Sequence, residues 1–273
     1  MPPIHSHASL LRTLAGAIVT TMAMSTGSHA QVPSPSAEVV VLAAGSLRDA
    51  MIDLRQAYEK KAAERVALSY GPSGKLREEI EAGRRADVFA SASPDHTNAL
   101  VGKQLLSASA VFARNDLCIV ARSGLGLTAQ NLLQVITDPA VRLATSTPVS
   151  DPMGDYTWEL FRKADQGRPG SYAALDAKAL KLSGASAPAP DAKLPYVTAF
   201  EENRADAYIM YCTNAAITRK ALPAVTVVHI PDALNVRSGY GIGAAPSSEG
   251  GQRFVRFVLS AEGQDILRSH GFN

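Results

Sequence analysis

The stretch Val39-Val-Val-Leu-Ala-Ala-Gly-Ser-Leu-Arg-Asp49 changes its periodicity half-way along. Its first half is an unbroken apolar run rich in β-branched residues, the pattern of a strand buried on both faces. After it, Leu47, Ala50, Met51, Leu54 and Tyr58 recur at helical spacing, which predicts an amphipathic helix. Ser46 with an acid three residues on, Asp49, reads as a capping box, so a helix is expected to start at Ser46, directly behind a strand. The same order then repeats. Residues 65–70 read as a strand, Gly71-Pro-Ser-Gly-Lys75 as a tight turn, and Leu76 and Ile80 as one face of a helix ending at Gly83. Residues 87–91 read as a third strand, with Pro94 suited to a first helical position. Such alternation argues for a parallel sheet covered by helices. In such sheets ligands bind at the carboxyl ends of strands, the edge at which Ser46 and Ser73 both stand. Each serine has two readings at that edge, an ordinary N-cap or a donor to an anion held by two helix starts.

Beyond Ala113 the pattern restarts. Leu117-Cys-Ile-Val-Ala121 and Arg142-Leu-Ala-Thr145 read as strands, separated by a helix over 128–136. Ser150-Asp-Pro-Met-Gly-Asp-Tyr156 turns into a helix carrying Trp158, Leu160 and Phe161. Residues 183–193, rich in Ala, Pro and Ser, look like a surface loop. Asp206-Ala-Tyr-Ile-Met-Tyr211 reads as a buried strand, and the tail holds a helix around 254–259 and another that Ser260 caps. Two α/β units with returning connections predict two lobes and a cleft.

The chain of 273 residues is 46% apolar and 19% charged, long enough to bury a large core without staples. A net charge of +2 and only 6% aromatic residues argue against a nucleic-acid partner. Arg12 followed by the apolar run 14–24 and then Ser28-His-Ala30 is the pattern of a cleavable secretory leader, residues 1–30. Residues 31–37, with Pro33 and Pro35, read as a linker. No later segment is long enough in apolar residues to span a bilayer. An exported chain with two cysteines, Cys118 and Cys212, permits one disulfide, and two buried free thiols are the other reading.

Several motifs taken together resemble the periplasmic molybdate/tungstate-binding proteins of ABC importers. They are Leu42-Ala-Ala-Gly-Ser-Leu47, Gly71-Pro-Ser-Gly-Lys-Leu76 and Ile80-Glu-Ala-Gly-Arg-Arg-Ala-Asp-Val-Phe89. Ala113-Arg-Asn-Asp-Leu117 looks like the family's crossover into the second lobe, Asp151-Pro-Met-Gly-Asp-Tyr156 like its Pro-Ala-Gly-x-Tyr turn, and Tyr208-Ile-Met-Tyr211 like its binding-tyrosine strand. Ser260-Ala-Glu-Gly-Gln264 and the terminal His-Gly-Phe272 resemble the closing signature of type II periplasmic binding proteins. The resemblance spans 38–273 and implies a two-lobed α/β fold of that type, each lobe a mostly parallel sheet flanked by helices, with the ligand cleft between. It implies a first lobe of 38–113 and 215–273 and a second of 114–214. The implied ligand is a tetrahedral oxyanion, molybdate or tungstate, held by Ser46, Ser73, the backbone of Met153 and Tyr211. The metal is then bound only as its oxyanion, with no direct protein ligand and no further cofactor. The implied role is that of a periplasmic monomer that hands the anion to a membrane permease. The segment 193–196 aligns too poorly for a further donor to be assigned.

The chain departs from the family pattern at Gly45, at Met153, at Tyr211-Cys-Thr-Asn214 and in the added length of 164–193. These departures keep a different anion or small solute open as the ligand. An exported hydrolase is the enzyme alternative, but the chain has no Gly-x-Ser-x-Gly motif. Past the leader its histidines are His96, His229 and His270, with no pair at metal spacing and none next to Cys212 in sequence.

Overall fold

A computed structural model describes residues 38–62, 64–187, 189 and 192–273. The expected leader and linker lie outside the described residues. The chain opens with three strand–helix units: β1 (Val39–Ala44) and α1 (Arg48–Glu59), β2 (Val66–Gly71) and α2 (Ser73–Glu81), then β3 (Val88–Ser91) and α3 (Pro94–Gly102). β4 (Ala110–Asn115) follows, and after Asp116 the chain enters a second sheet through β5 (Leu117–Arg122). There follow α4 (Leu132–Thr137), β6 (Leu143–Ser146), α5 (Pro152–Gly167), α6 (Ser171–Lys178), β7 (Leu180–Ser183) and α7 (Pro195–Glu201). β8 (Ala207–Tyr211), α8 (Cys212–Ala221) and β9 (Val225–His229) complete that sheet. The chain then returns through β10 (Ser238–Ala244) and ends with α9 (Glu249–Val258) and α10 (Ala261–Ser269).

Among the described residues the strands form two five-stranded sheets, ordered β2-β1-β3-β10-β4 and β7-β6-β8-β5-β9. The two orders are the same pattern used twice. In each sheet a single strand runs antiparallel to its two neighbours, β10 in the first and β5 in the second. In each case it is the strand by which the chain has just arrived from the other sheet. Two such sheets flanked by helices make the two-lobed α/β fold of a type II periplasmic binding protein, which the motif resemblance implies.

The apolar run of β1 is buried because both faces are covered. Val41 and Ala43 pack with Leu47, Leu54, Tyr58, Phe254 and Val258 on one side. Leu42, pointing the other way, packs with Phe89, Leu76, Ile80 and Leu100. Tyr58 meets Phe254 edge-on at 5.2 Å between ring centroids.

Three expectations need correction. Ser46 does not cap α1: Gly45–Leu47 form a single 3-10 turn that runs on into the helix, and Leu47 stands at the N-cap without a side-chain bond. The return to the first sheet comes at Ser238, not after Asn214. The short run Val225-Thr-Val-Val-His229 forms β9, which pairs with β5 in the second sheet, Cys118 opposite His229. The stretch 183–193 is not wholly a surface loop: β7 pairs with β6 just before it, and part of it walls the cleft described next. One question left open is also answered. Cys118 and Cys212 form a disulfide with a Cα–Cα distance of 4.9 Å.

Candidate functional site

A cavity of about 300 Å³ opens between the carboxyl ends of β1 and β2 on one side and the start of α5, the end of β8 and the 181–196 stretch on the other. Ser46, Met153 and Tyr211 line it together. The chain reaches Ser46 at the end of β1 and Tyr211 at the end of β8, the central regions of two sheets whose strand ends face one another.

Tyr211 closes β8, where Leu117 is its partner across the ladder. It is 1% exposed, and its hydroxyl has no hydrogen-bond partner among the described residues. Burial pushes this phenol well above its ordinary pKa, reinforced by Tyr240 and Asp151 nearby. Tyr240, whose ring centroid is 5.6 Å from that of Tyr211, places its own hydroxyl 3.0 Å from Ser46 Oγ. Asn115 Nδ2 also reaches the Tyr240 hydroxyl, at 3.5 Å. Ser46 is therefore positioned from below by a fully buried tyrosine, a residue that sequence reasoning passed over because the 238–244 strand itself went unread.

Ser73 is placed differently. It is the first residue of α2, with Pro72 at the N-cap, and it is 1% exposed. Its Oγ accepts from the Ala92 amide at 3.0 Å, which leaves its hydrogen available. Gly71 and Pro72 reach the cavity, and Ser73 lies just behind them. The reason is the contact beside it: Gly74 N–H donates to the Ser150 carbonyl at 2.9 Å, joining the start of α2 to the loop before α5. A Cβ on Gly74 would stand 2.3 Å from the Val149 carbonyl oxygen, so only glycine permits this approach.

Met153 has its amide engaged within the chain. Asp151 is the N-cap of α5 and its Oδ1 accepts from Met153 N–H at 3.2 Å. Ser146 Oγ donates to Asp151 Oδ2 at 2.5 Å. Burial raises the Asp151 carboxyl above the usual carboxylate range, while the bonds from Ser146 and Met153 pull against that rise. The Asp-Pro pair was legible as a helix start, but a carboxylate lining the cleft was not anticipated. Gly184 seals the 183–186 segment over it: at φ +80, a Cβ there would come 2.0 Å from Ser146 Oγ and 2.7 Å from Asp151 Cβ.

Two cations stand at the rim, Arg48 and Lys181. The Arg48 guanidinium lies 4.7 Å from the centroid of the Tyr70 ring and Lys181 Nζ lies 5.3 Å from that of Trp158. Tyr70, Leu182, Leu194, Pro195 and Tyr196 supply apolar wall. Away from the cleft, the structure brings His229 Nδ1 to 3.5 Å from Cys118 Sγ and 3.9 Å from Cys212 Sγ. Sequence distance had hidden that histidine, but both sulfurs are spent in the disulfide.

Residues 39–273 match the family model for bacterial extracellular solute-binding proteins. The chain belongs to that family. An uncharacterized protein of Pasteurella multocida, PM1146, is 34% identical over 235 residues, covering 85% of this solute-binding protein and 97% of the relative. The molybdate-binding protein ModA of Mycobacterium bovis is 26% identical over 273 residues, 95% of each chain. Among solved structures, the sulfate-binding protein SubI of Mycobacterium tuberculosis superposes with a TM-score of 0.68 at 19% identity, covering 86% of both chains. Among the described residues no helix of the solute-binding protein is long and apolar enough to cross a membrane.

Proposed function

We propose that this solute-binding protein captures a tetrahedral oxyanion in the cleft between its two sheets and presents it to the membrane permease of an ABC importer. Molybdate and tungstate are the first candidates. The observation that carries the reading is the Tyr211 hydroxyl, buried, without a partner and on the cleft wall that Ser46 shares. An unpaired buried hydroxyl costs stability, and an anion oxygen is the partner that relieves it. Neutral donors suffice for such a ligand, because hydrogen bonds to a charged group are about twice as strong as neutral ones. The 10-residue helix α8 begins directly after Tyr211 and adds its positive end. The molybdate-binding relative and the first-lobe motifs support the choice of metal oxyanion, and the sulfate-binding neighbour has the same fold. Ser46 and Tyr211 are assigned as direct donors. Ser73 joins them through its free hydrogen, and Met153 through its amide, once the lobes adjust around the ligand. The family and the leader expected at residues 1–30 support capture in the periplasm.

The test is a melting scan of the purified protein against molybdate, tungstate, sulfate and phosphate at fixed ionic strength. A ligand at a hundred times its Kd stabilises by about 2.7 kcal/mol, a shift of several degrees. No shift with any of the four at millimolar concentration sinks the inorganic assignment.

A further inference from the structure

The cleft holds more than an inorganic oxyanion uses. Four oxygens at roughly 30 Å³ each fill less than half of a cavity of about 300 Å³. The remainder is bounded by Tyr70, Leu194 and Tyr196, carbon surface to which a bare anion offers nothing. Asp151 lines the same cavity, and both of its oxygens already accept, from Met153 N–H and from Ser146 Oγ. Both oxygens act as acceptors here, with a lone pair left on each. A fully deprotonated oxyanion carries only acceptors, so it is repelled at Asp151 itself and keeps to the Ser46–Tyr211 side of the cavity. A hydroxyl group is attracted. Arg48 and Lys181 at the rim supply two positive charges for a ligand that carries two negative ones.

From this juxtaposition of donors, carboxylate and apolar wall we infer that the cleft takes its oxyanion as the phosphate head of a small hydroxylated phosphomonoester. The head sits on Ser46 and Tyr211, a hydroxyl of the organic part donates to Asp151, and the carbon chain lies against Tyr70, Leu194 and Tyr196. The inference rests on the oxyanion reading of the cleft and narrows it. Asp151 is then the specificity-determining residue, because a site built around a hydroxyl leaves its acceptor unpaired when the analogue lacks one.

The experiment is calorimetric titration of the purified protein with four probes: molybdate, inorganic phosphate, glycerol 3-phosphate and propyl phosphate. The last two differ by their hydroxyls. Glycerol 3-phosphate is expected to bind at least tenfold more tightly than inorganic phosphate or molybdate. It should also exceed propyl phosphate by ten- to a hundredfold, the value of a hydrogen bond to a charged group. In Asp151→Ala the two esters should bind alike. Molybdate binding as tightly as the hydroxylated ester overturns the inference and leaves the oxyanion reading standing. Equal wild-type affinity for the two esters overturns it without recourse to the variant, whose helix cap is lost. Binding of none of the four overturns both.

Discussion

A tyrosine hydroxyl buried without a partner makes its removal informative, because the structural and functional effects have opposite signs. Tyr211→Phe deletes the unpaired group and keeps the ring beside Tyr240. The apo protein should become more stable by about 1 kcal/mol, while oxyanion affinity falls ten- to a hundredfold. Parallel denaturation and titration measurements read both, and a loss of stability with intact binding would show that Tyr211 is only a core residue. A second residue-scale expectation concerns acid. Burial, helped by the neighbouring Arg77, lowers His96 from 6.5 to about 4. Between those values the unfolded imidazole binds a proton that the folded one refuses, so stability is complete above about pH 6.5 and falls as pH drops towards 4. The loss attributable to His96 is at most about 3 kcal/mol. His96→Gln should flatten that limb of a stability-against-pH curve.

At the scale of elements, the disulfide is the clearest lever. It ties β5 to the first residue of α8 across 94 residues of sequence and stands next to Tyr211. Removing both sulfurs as the Cys118→Ala, Cys212→Ala pair should cost about 2–5 kcal/mol, read as a lower denaturant midpoint. The effect on binding should be small, since the β5–β8 ladder still holds Tyr211 opposite Leu117. The elements themselves were legible where periodicity was strong: β1 to α3, β5, α5, β8 and the Ser260-capped α10 could be read from the chain. β7, α6, α7, β9 and β10 could not, since four- to eight-residue pieces between Gly, Pro and Ala carry little period of their own. Gly45–Leu47 misled for a different reason. A capping-box sequence and a 3-10 lead-in look alike until the backbone at Ser46 is seen to be already turning. In the candidate site, residue types were readable but engagement was not. Nothing local says that Asp151 takes the Met153 amide, or that Tyr240 reaches Ser46 from 194 positions away.

On the scale of the whole molecule, the two sheets are joined by two strands of chain, at Asp116 and at 230–237, and these are sewn together. Asn235 Oδ1 accepts from the Leu117 amide at 3.0 Å and its Nδ2 donates to the Leu117 carbonyl at 3.1 Å. Any rotation of one sheet against the other is absorbed here. Asn235→Ala leaves both backbone groups of a fully buried residue unpaired and should destabilise by about 2–3 kcal/mol, checked by chemical denaturation. The place of β10 in the first sheet has a consequence of another kind. It lies between β3 and β4, and among the described strands β4 pairs with no other, its Arg114 exchanging backbone hydrogen bonds with the late residue Asn273. A growing chain therefore presents β3 as a bare edge, and β4 as an orphan, until residue 244 has been made. While residues 116–244 are being made the amino-terminal part is a sheet with a gap in it, open to pairing with a neighbouring copy. A fragment ending after β4 should aggregate rather than fold, and the time between making residue 115 and residue 244 is when this protein most needs a chaperone.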